Sequence, residues 1–427
     1  MRILVVGGGG REHALLWALD RDQPGAVLFA APGNAGTAGL ATNFAISADA
    51  GPELTDLASR EQVDLVIVGP EGPLAAGLAD RLRAKGIAAF GPSGAAAEIE
   101  ASKAWAKDVM VAAGVPTAAS MTFAELPGAL KYIDAHAEPL VVKASGLAAG
   151  KGAIVCATRE EARAAARAML EGRAFGPAGQ LVVIESFLEG EELSLMALTN
   201  GDEIRLLPAA QDHKRLLEGD RGANTGGMGA YSPVSLETPT LLERARARVI
   251  EPTLAEMARR GAPFRGLLYA GLMIDGGGNP SVVEFNCRFG DPETQVILPR
   301  IKDGFFEALH ACAIGSPLPP IEVSDDAAVT TVLAANGYPD KPEKGAAITI
   351  PPDLPAGAIV FHAGTARDQQ GVLRTSGGRV IAVTGVAKTF AEAQAVSRQA
   401  AERIEFAGKQ FRRDIGWREA RRLGRSS

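Results

Sequence analysis

Over roughly the first ninety residues, apolar runs and amphipathic runs alternate in strict order. Strand-like runs stand at 2–6, 27–30, 63–68 and 87–90, with helix-like runs at 12–20, 53–60 and 74–85. Neighbouring parallel strands need a crossover between them, and a helix is the usual one. This β-α-β-α order therefore predicts a parallel sheet with helices on both faces. The first apolar run stops after four residues in a glycine cluster followed by Arg11 and Glu12, so it reads as a buried strand and not as a signal peptide.

Further along, a helix-like run at 102–113 ends at Gly114, with Pro116 just beyond as a stop signal. A second α/β unit follows. Runs at 139–143 and 153–156 read as a strand pair joined by a glycine-rich loop, 159–171 as an alanine-rich helix and 181–185 as a strand. From Glu192 the pattern is strand-rich, at 193–198, 204–209, 267–274 and 281–286, interrupted by a long helix at 239–260. The tail holds strands near 329–335, 358–361 and 379–383 and a helix near 390–406. Its basic end, from Arg412 to Arg425, reads as a solvated helix face. A chain of 427 residues is too long for one core and suggests about three domains of ~150 residues. The expected boundaries are 1–102, 103–326 with a small subdomain at about 121–189, and 327–427.

Net charge is −6 and the sequence pI about 5.6, which argues against a nucleic-acid partner. No apolar run is long enough to span a membrane, so no membrane partner is expected. Cys156, Cys287 and Cys312 are odd in number and lack metal-like spacing, which suits reduced thiols in a cytoplasmic protein.

The most informative segment is S-V-V-E-F-N-C-R-F-G-D-P-E at 281–293. Side chains alternate on a strand, so Glu284 and Asn286 share a face. A carboxylate beside a carboxamide offers hard oxygens of the kind magnesium takes, with its other positions kept for water and phosphate. Arg288 follows, and its fork suits a carboxylate or phosphate. An exposed edge strand with ordinary polar residues is the plain alternative. Four glycines at 7–10 precede Arg11, Glu12 and His13, a loop whose amides could bind phosphate at a helix N-terminus. The spacing fails the dinucleotide fingerprint, because Glu12 or His13 falls in its last glycine slot. Lys143 stands at a strand end before a loop rich in glycine, with Gly146, Gly150 and Gly152. It is not a P-loop, since Gly152 occupies the hydroxyl slot after Lys151 and a strand follows; a plain hairpin with a long turn is the bland reading. The acidic stretch at 185–192 could meet an adenine edge and ribose hydroxyls. Asp212 could bind an amine, and the glycine-rich segment at 219–233 has the length of a binding loop. His213 could be a general base, but a structural histidine is at least as good a reading.

Taken together, Lys103, Lys143 with its loop, the E-S-F-L-E-G-E-E linker and E-F-N with Arg288 resemble the ATP-grasp superfamily in order and spacing. G-G-G-G-R-E-H, G-N-A-G-T at 33–37, G-P-E at 69–71, Q-D-H-K-R, N-T-G-G-M-G-A-Y-S-P, N-C-R-F-G-D-P-E-T-Q, F-H-A-G-T at 361–365 and S-G-G-R-V at 376–380 narrow the resemblance to the phosphoribosylamine–glycine ligase family, over nearly the whole chain. The resemblance implies an α/β architecture: an ATP-grasp fold preceded by a Rossmann-like parallel-sheet domain and followed by a small α+β domain. It implies that ATP, glycine and 5-phosphoribosylamine give glycinamide ribonucleotide, ADP and phosphate through glycyl phosphate, the second step of de novo purine biosynthesis. It implies Mg²⁺ or Mn²⁺ on Glu284 and Asn286, and ATP phosphates on Lys103 and Lys143 under a lid loop with Gly146, Gly150 and Gly152. Adenine would meet Glu185, Phe187 and Leu188, and the ribose Glu191 or Glu192. Arg288, Asp212 and Lys143 would be catalytic. Gly8, Gly9, Gly10, Arg11, Glu12, Asn34, Pro70, Glu71, Asp212, Lys214, Asn224, Arg288, Gly290 and Asp291 would contact substrate. A monomer or weak dimer is expected. One departure is that Leu272 and Met273 stand where many ATP-grasp enzymes carry a further acidic metal ligand, with Asp275 at the strand's end. Rival readings are another carboxylate–amine ligase such as a dipeptide ligase, a dinucleotide-dependent oxidoreductase, and a nucleotide-binding scaffold. The first has no phosphate for the loop at 7–10 to bind.

Overall fold

Residues 1–148, 152–171 and 176–424 are described by a computed structural model. The N-terminal sheet is parallel, in the order Thr42–Asn43, Val27–Pro32, Arg2–Gly7, Leu65–Val68, Ala88–Phe90. Alternation explains why its strands are apolar throughout. Ile3, Val5, Leu28 and Ile67 pack on one face with Leu15 and Leu19, while Leu4, Val6, Phe29 and Val66 pack on the other with Leu54 and Leu82. The expected helix at 74–85 is broken in two, Glu71–Ala75 and Leu78–Ala84, because Gly77 adopts φ +77° between them.

The second unit is a four-stranded antiparallel sheet ordered Ser120–Phe123, Val182–Ser186, Leu140–Ala144, Ala153–Cys156. Helices Leu126–Ala135 and Arg159–Leu170 supply Ile133, Ala162 and Met169 to a core of its own with Leu140, Val142 and Ile184. A third sheet is built on Glu191–Thr199 paired along its whole length with Gly266–Ile274, with Ile204–Leu206 and Pro280–Asn286 at the edges. The expected single helix at 239–260 contains a π turn, Arg246–Ile250, between Pro239–Ala245 and Glu251–Arg259. Pro252 lies one residue beyond the turn's neighbour; it lacks an N–H and its ring crowds the carbonyl four residues back, which the wider turn relieves.

The last large sheet crosses the expected boundary near residue 327. Gln211–Asp212 and Gly229–Ser232 pair with the tail strands Ala327–Ala334, Arg379–Ala387 and Ala358–His362. Helix Phe390–Arg403, started by a Thr389–Glu392 capping box, covers it. The basic end is a solvated face only in part: Arg413 and Arg421 are exposed, but the other described arginines are drawn inward. Arg412 is fully buried, with Nε on Asp414 at 2.8 Å and Nη1 on Asp220 at 3.0 Å. Arg418 also pairs with Asp220, at 2.6 Å, and Arg422 binds Glu191 at 2.8 Å and 2.9 Å. Carboxylates distant in sequence draw the arginines in; Arg425 lies outside the described residues.

The N-terminal helix meets the tail through two imidazoles. The His362 amide donates to His13 Nδ1 at 2.7 Å, so that nitrogen carries no proton. Burial and the nearby His362 push His13 down to about 3, and burial and Arg367 push His362 down to about 4. Burial also lowers His213. The unfolded chain therefore binds these protons first, and stability falls as pH drops from about 6.5 towards about 4, with no loss from this source at higher pH. A melting series across that range reads the effect. His13→Gln, which keeps an acceptor for the His362 amide, is expected to flatten the fall; an unchanged acid limb counts against it.

Candidate active site

A cleft opens between the four-stranded antiparallel sheet, the N-terminal unit and the third sheet, and its two walls carry opposite charge. On the basic wall stand Lys103 and Lys107, one helical turn apart on Lys103–Ala112, and Lys143 near the end of Leu140–Ala144. Ser102 starts that helix by accepting the Trp105 amide. Glu185 is held between two of the lysines, 3.2 Å from Lys107 Nζ and 2.9 Å from Lys143 Nζ. Its carboxylate is thus engaged with these cations, and Lys143 Nζ also donates to the Val283 carbonyl at 2.9 Å. Lys103 Nζ donates to the Gly146 carbonyl at 3.1 Å. Burial lowers the pKa of both Lys103 and Lys107, against the pull of Glu284 and Glu185 respectively. The Gly146 amide donates to the Ala178 carbonyl at 3.0 Å, and a Cβ there would stand 2.6 Å from Ala178 Cα. Gly152 lines the cleft. Gly150, expected in the same loop, lies outside the described residues.

On the acidic wall, Glu284 and Asn286 do face the cleft together, opposite Gly271 and Tyr269 of the neighbouring strand. Glu192, Asp212 and Glu293 join them. Burial raises Asp212 to about 8; Lys214 opposes this, while Glu293, Glu192 and Glu284 add to it. Burial also pushes Glu284 up, but Lys214, Lys143, Lys103 and Arg288 outweigh it and hold the carboxyl below its ordinary range. Lys214 is half-buried, and against the opposing effect of burial Glu192, Asp212 and Glu284 hold its ammonium well above the usual value. Its Nζ lies 2.5 Å from Glu192. Burial raises this carboxyl to about 8 and its three acidic neighbours add to the rise, so an added cation would be favoured here. Among the described residues no group of three or more His, Cys, Asp or Glu side chains is arranged for a metal. One carboxylate and one carboxamide oxygen remain, a set that fits magnesium bound mainly through phosphate and water. Asp275 is not a further ligand: it closes the hairpin by accepting the Gly277 and Asn279 amides, each at 2.8 Å. Leu272 is buried, and Met273 lines the cleft as an apolar surface.

Glu191 and Glu192 part company by strand alternation. Glu192 lines the cleft, and Glu191 turns to Arg422. Phe187 and Leu188 line the cleft beside Val141 and Val155. At the other end, Arg288 lies between two carboxylates of the N-terminal unit, 3.2 Å from Glu71 and 2.8 Å from Glu100. Asn224, Gly290 and Asp291 also line the cleft. Arg379 of the tail reaches Asp291 at 3.0 Å and donates to the Gly226 carbonyl at 2.5 Å.

The glycine loop abuts this end. A Cβ on Gly10 would lie 2.7 Å from Gln295 Nε2 and 3.8 Å from Asp291 Oδ1, so a side chain there would have to displace the Gln295 carboxamide. Glu12 does not face the cleft. It caps its own helix by accepting the Gly9 amide at 2.6 Å and pairs with Arg11 at 2.6 Å. Its carboxylate fills the space among Gly7, Gly9 and Gly69, which leaves no room for a dinucleotide pyrophosphate on the Gly9 amide. Asn34 is likewise occupied, donating to the Gly8 carbonyl at 3.0 Å and the His362 carbonyl at 2.8 Å, and accepting the Gly36 and Thr37 amides. Arg11 donates to the Phe289 carbonyl at 3.0 Å. Gly8, Pro70 and the Gly9–Arg11 stretch surround the cleft without lining it. His213 is structural: buried, it accepts the Gly416 amide at Nε2.

Sequence reasoning passed over Lys107, Glu100, Glu293, Tyr269 and Arg379. Lys107 had a signal, since it follows Lys103 by one turn. The Tyr269 hydroxyl donates to Glu293 Oε1 at 3.0 Å, and Ser194 donates to the same oxygen at 3.1 Å, a network made only by tertiary contact.

Models of the phosphoribosylglycinamide synthetase family match the chain in three parts: the N domain over 1–100, the ATP-grasp domain over 101–294 and the C domain over 328–418. The phosphoribosylamine–glycine ligase of Nostoc sp. is 49% identical over 424 residues, covering 98% of this chain and 99% of its own length. That of Escherichia coli K12 is 47% identical over 428 residues, covering 99% of each. The crystal structure of the Thermotoga maritima phosphoribosylamine–glycine ligase superposes with a TM-score of 0.86 at 35% identity, over 97% of this chain and 100% of that one. A biotin carboxylase domain from Hydrogenobacter thermophilus, solved with MgADP, shares the fold at a TM-score of 0.72 and 19% identity, over 96% of this chain and 91% of that one.

Proposed function

We infer the work of this cleft from the premise that the chain belongs to the phosphoribosylamine–glycine ligase family. It ligates glycine to 5-phosphoribosylamine with ATP, giving glycinamide ribonucleotide, ADP and phosphate in the second step of de novo purine biosynthesis. The observation that carries the residue assignment is the pair of opposed walls, three lysines facing Glu284, Asn286 and Asp212, with Arg288 at their end.

Phosphoryl transfer asks mainly for positioning and charge neutralisation. Lys103 and Lys143 hold the inner phosphates of ATP, and the slot of Val141, Val155, Phe187, Leu188 and Met273 takes the adenine. Glu192 receives the ribose hydroxyls. Glu284 and Asn286 would hold Mg²⁺, or Mn²⁺, which when bound would offset phosphate charge. A glycine carboxylate oxygen attacks the γ-phosphorus, the bond to the bridging oxygen breaks, and ADP leaves. Arg288 offsets charge on the transferred group. The amine nitrogen of phosphoribosylamine then attacks the acyl carbon of glycyl phosphate, inorganic phosphate departs with the C–O bonding pair, and Asp212 stands where an amine N–H can be received. Asp291, Gly290 and Asn224 border the phosphoribosylamine end, with Glu71 anchoring Arg288. The four-stranded antiparallel sheet serves as a lid and excludes water from the acyl phosphate. No helix among the described residues is long and apolar enough to cross a membrane, and the setting we propose is the cytoplasm, as a monomer or weak dimer.

Phosphate release is expected to require Mg-ATP, glycine and freshly made phosphoribosylamine together. Equal turnover without phosphoribosylamine, or with D-alanine in its place, would sink the reading.

A further inference from the structure

We propose that Glu100 is a positioning residue for the transfer steps, fixing which N–H of Arg288 is presented to the reacting groups. The inference rests on the ligase reading above and adds a residue that reading does not use. Glu100 belongs to helix Gly94–Ala101 of the N-terminal unit and is buried at the cleft wall. Its Oε1 lies 2.8 Å from Arg288 Nη2, and its Oε2 accepts the Cys287 amide at 2.7 Å. One carboxylate thus holds both the backbone between Asn286 and Arg288 and the guanidinium itself.

A guanidinium presents five N–H groups in one fixed plane. Arg288 Nε donates to Glu71 at 3.2 Å, and Nη2 donates to Asn286 Oδ1 at 3.2 Å while facing Glu100. Nη1 donates to the Phe289 carbonyl at 3.3 Å, its one partner among the described residues. The second N–H of Nη1 is therefore the group left for a substrate oxygen. Glu71 alone fixes a point of the guanidinium. Glu71 and Glu100 together fix its plane, and both come from the N-terminal unit, not from the strand leading to Arg288. Without the Glu100 charge the fork loses its shortest contact and keeps only the longer ones to Glu71, Asn286 and Phe289, so its plane is held loosely, and the backbone beside Asn286 loses an anchor.

The test compares kcat, KM for ATP and Mg-ADP affinity by calorimetry in the wild type, Glu100→Gln, Glu100→Asp, Arg288→Gln and the Glu100→Gln/Arg288→Gln double variant. Glu100→Gln is expected to lower kcat about a hundredfold, the scale of a misplacement near 1 Å. KM for ATP and Mg-ADP affinity are expected to move less than about threefold, because the lost interaction acts in the transition state. In the double variant the loss should match that of Arg288→Gln alone within about threefold, since the two side chains act as one unit. A purely structural Glu100 would lower stability and leave kcat of the folded fraction unchanged. A near-normal kcat in Glu100→Gln, or losses that multiply in the double variant, overturns the proposal. Should Glu100→Gln fail to fold, Glu100→Asp keeps the charge with a shorter reach and must show the same fall in kcat at steady KM. A wild type that turns over without both substrates would instead remove the ligase reading.

Discussion

Glu284→Ala is expected to abolish ligation and leave the fold standing. Among the described residues Glu284 accepts no hydrogen bond, and it shares its wall with Asp212, Glu192 and Glu293. Its ionised form is held by Lys214, Lys143, Lys103 and Arg288, so removing it should lower the melting temperature slightly at neutral pH without unfolding the protein. What is lost is the one carboxylate of the pair proposed to hold the metal. Removal of a preorganised electrostatic contact typically costs about a hundred- to a thousandfold in kcat, and loss of the metal adds to that. We expect a fall of at least about a thousandfold at millimolar Mg²⁺, partly recovered at higher metal concentration. Near-normal turnover of the variant at low Mg²⁺ would count against the assignment.

The second large effect lies far from the chemistry. Arg412→Ala should destabilise the protein by about 3–5 kcal/mol, the usual consequence of breaking a buried ion pair from one side. The substitution takes the ion pair from Asp414, leaves Asp220 with Arg418 as its one remaining arginine, and removes the donor to the Arg215 carbonyl. The segment so released carries Lys214 and Asn224 into the cleft, so weaker ATP binding should accompany the lower denaturation midpoint. Arg412→Lys should recover little, since an ammonium cannot form the forked contact with Asp414. An unchanged midpoint in Arg412→Ala would refute the account.

Arg412 also marks the limit of what could be read from the residues alone. A run of arginines near a chain's end has the composition of a solvated face, and nothing local announces Asp220. Glu284 and Asn286 were legible for the opposite reason: strand alternation is local, and it puts them on one face whatever the rest of the chain does. The same rule left Glu191 and Glu192 as equals until the register with the neighbouring strand assigned one to the cleft and one to Arg422. The parallel sheet was legible because burial on both faces makes its strands apolar without a break. Glu100 was not, because its meaning depends on Cys287, 187 residues away. Glu12 and Asn34 sat in motifs that suggest ligand contact, yet their polar atoms are occupied in shaping the loop itself. Neighbouring backbone groups compete for such side chains, and spacing alone cannot tell which partner wins.

The sheet that carries Asp212 has a consequence for how the molecule is made. A ribosome releases the chain from its N-terminus, and units generally fold as they emerge. The parallel sheet and the lid can form early, because all their strands lie before residue 187. Asp212 cannot be fixed then. Its strand pairs with Gly229–Ser232, which pairs with Ala327–Ala334, which pairs in turn with Arg379–Ala387, and Arg412 follows later still. A nascent chain therefore owns its lysines long before it owns a finished acidic wall, and catalytic competence arrives only once Arg379–Ala387 and Arg412 have emerged.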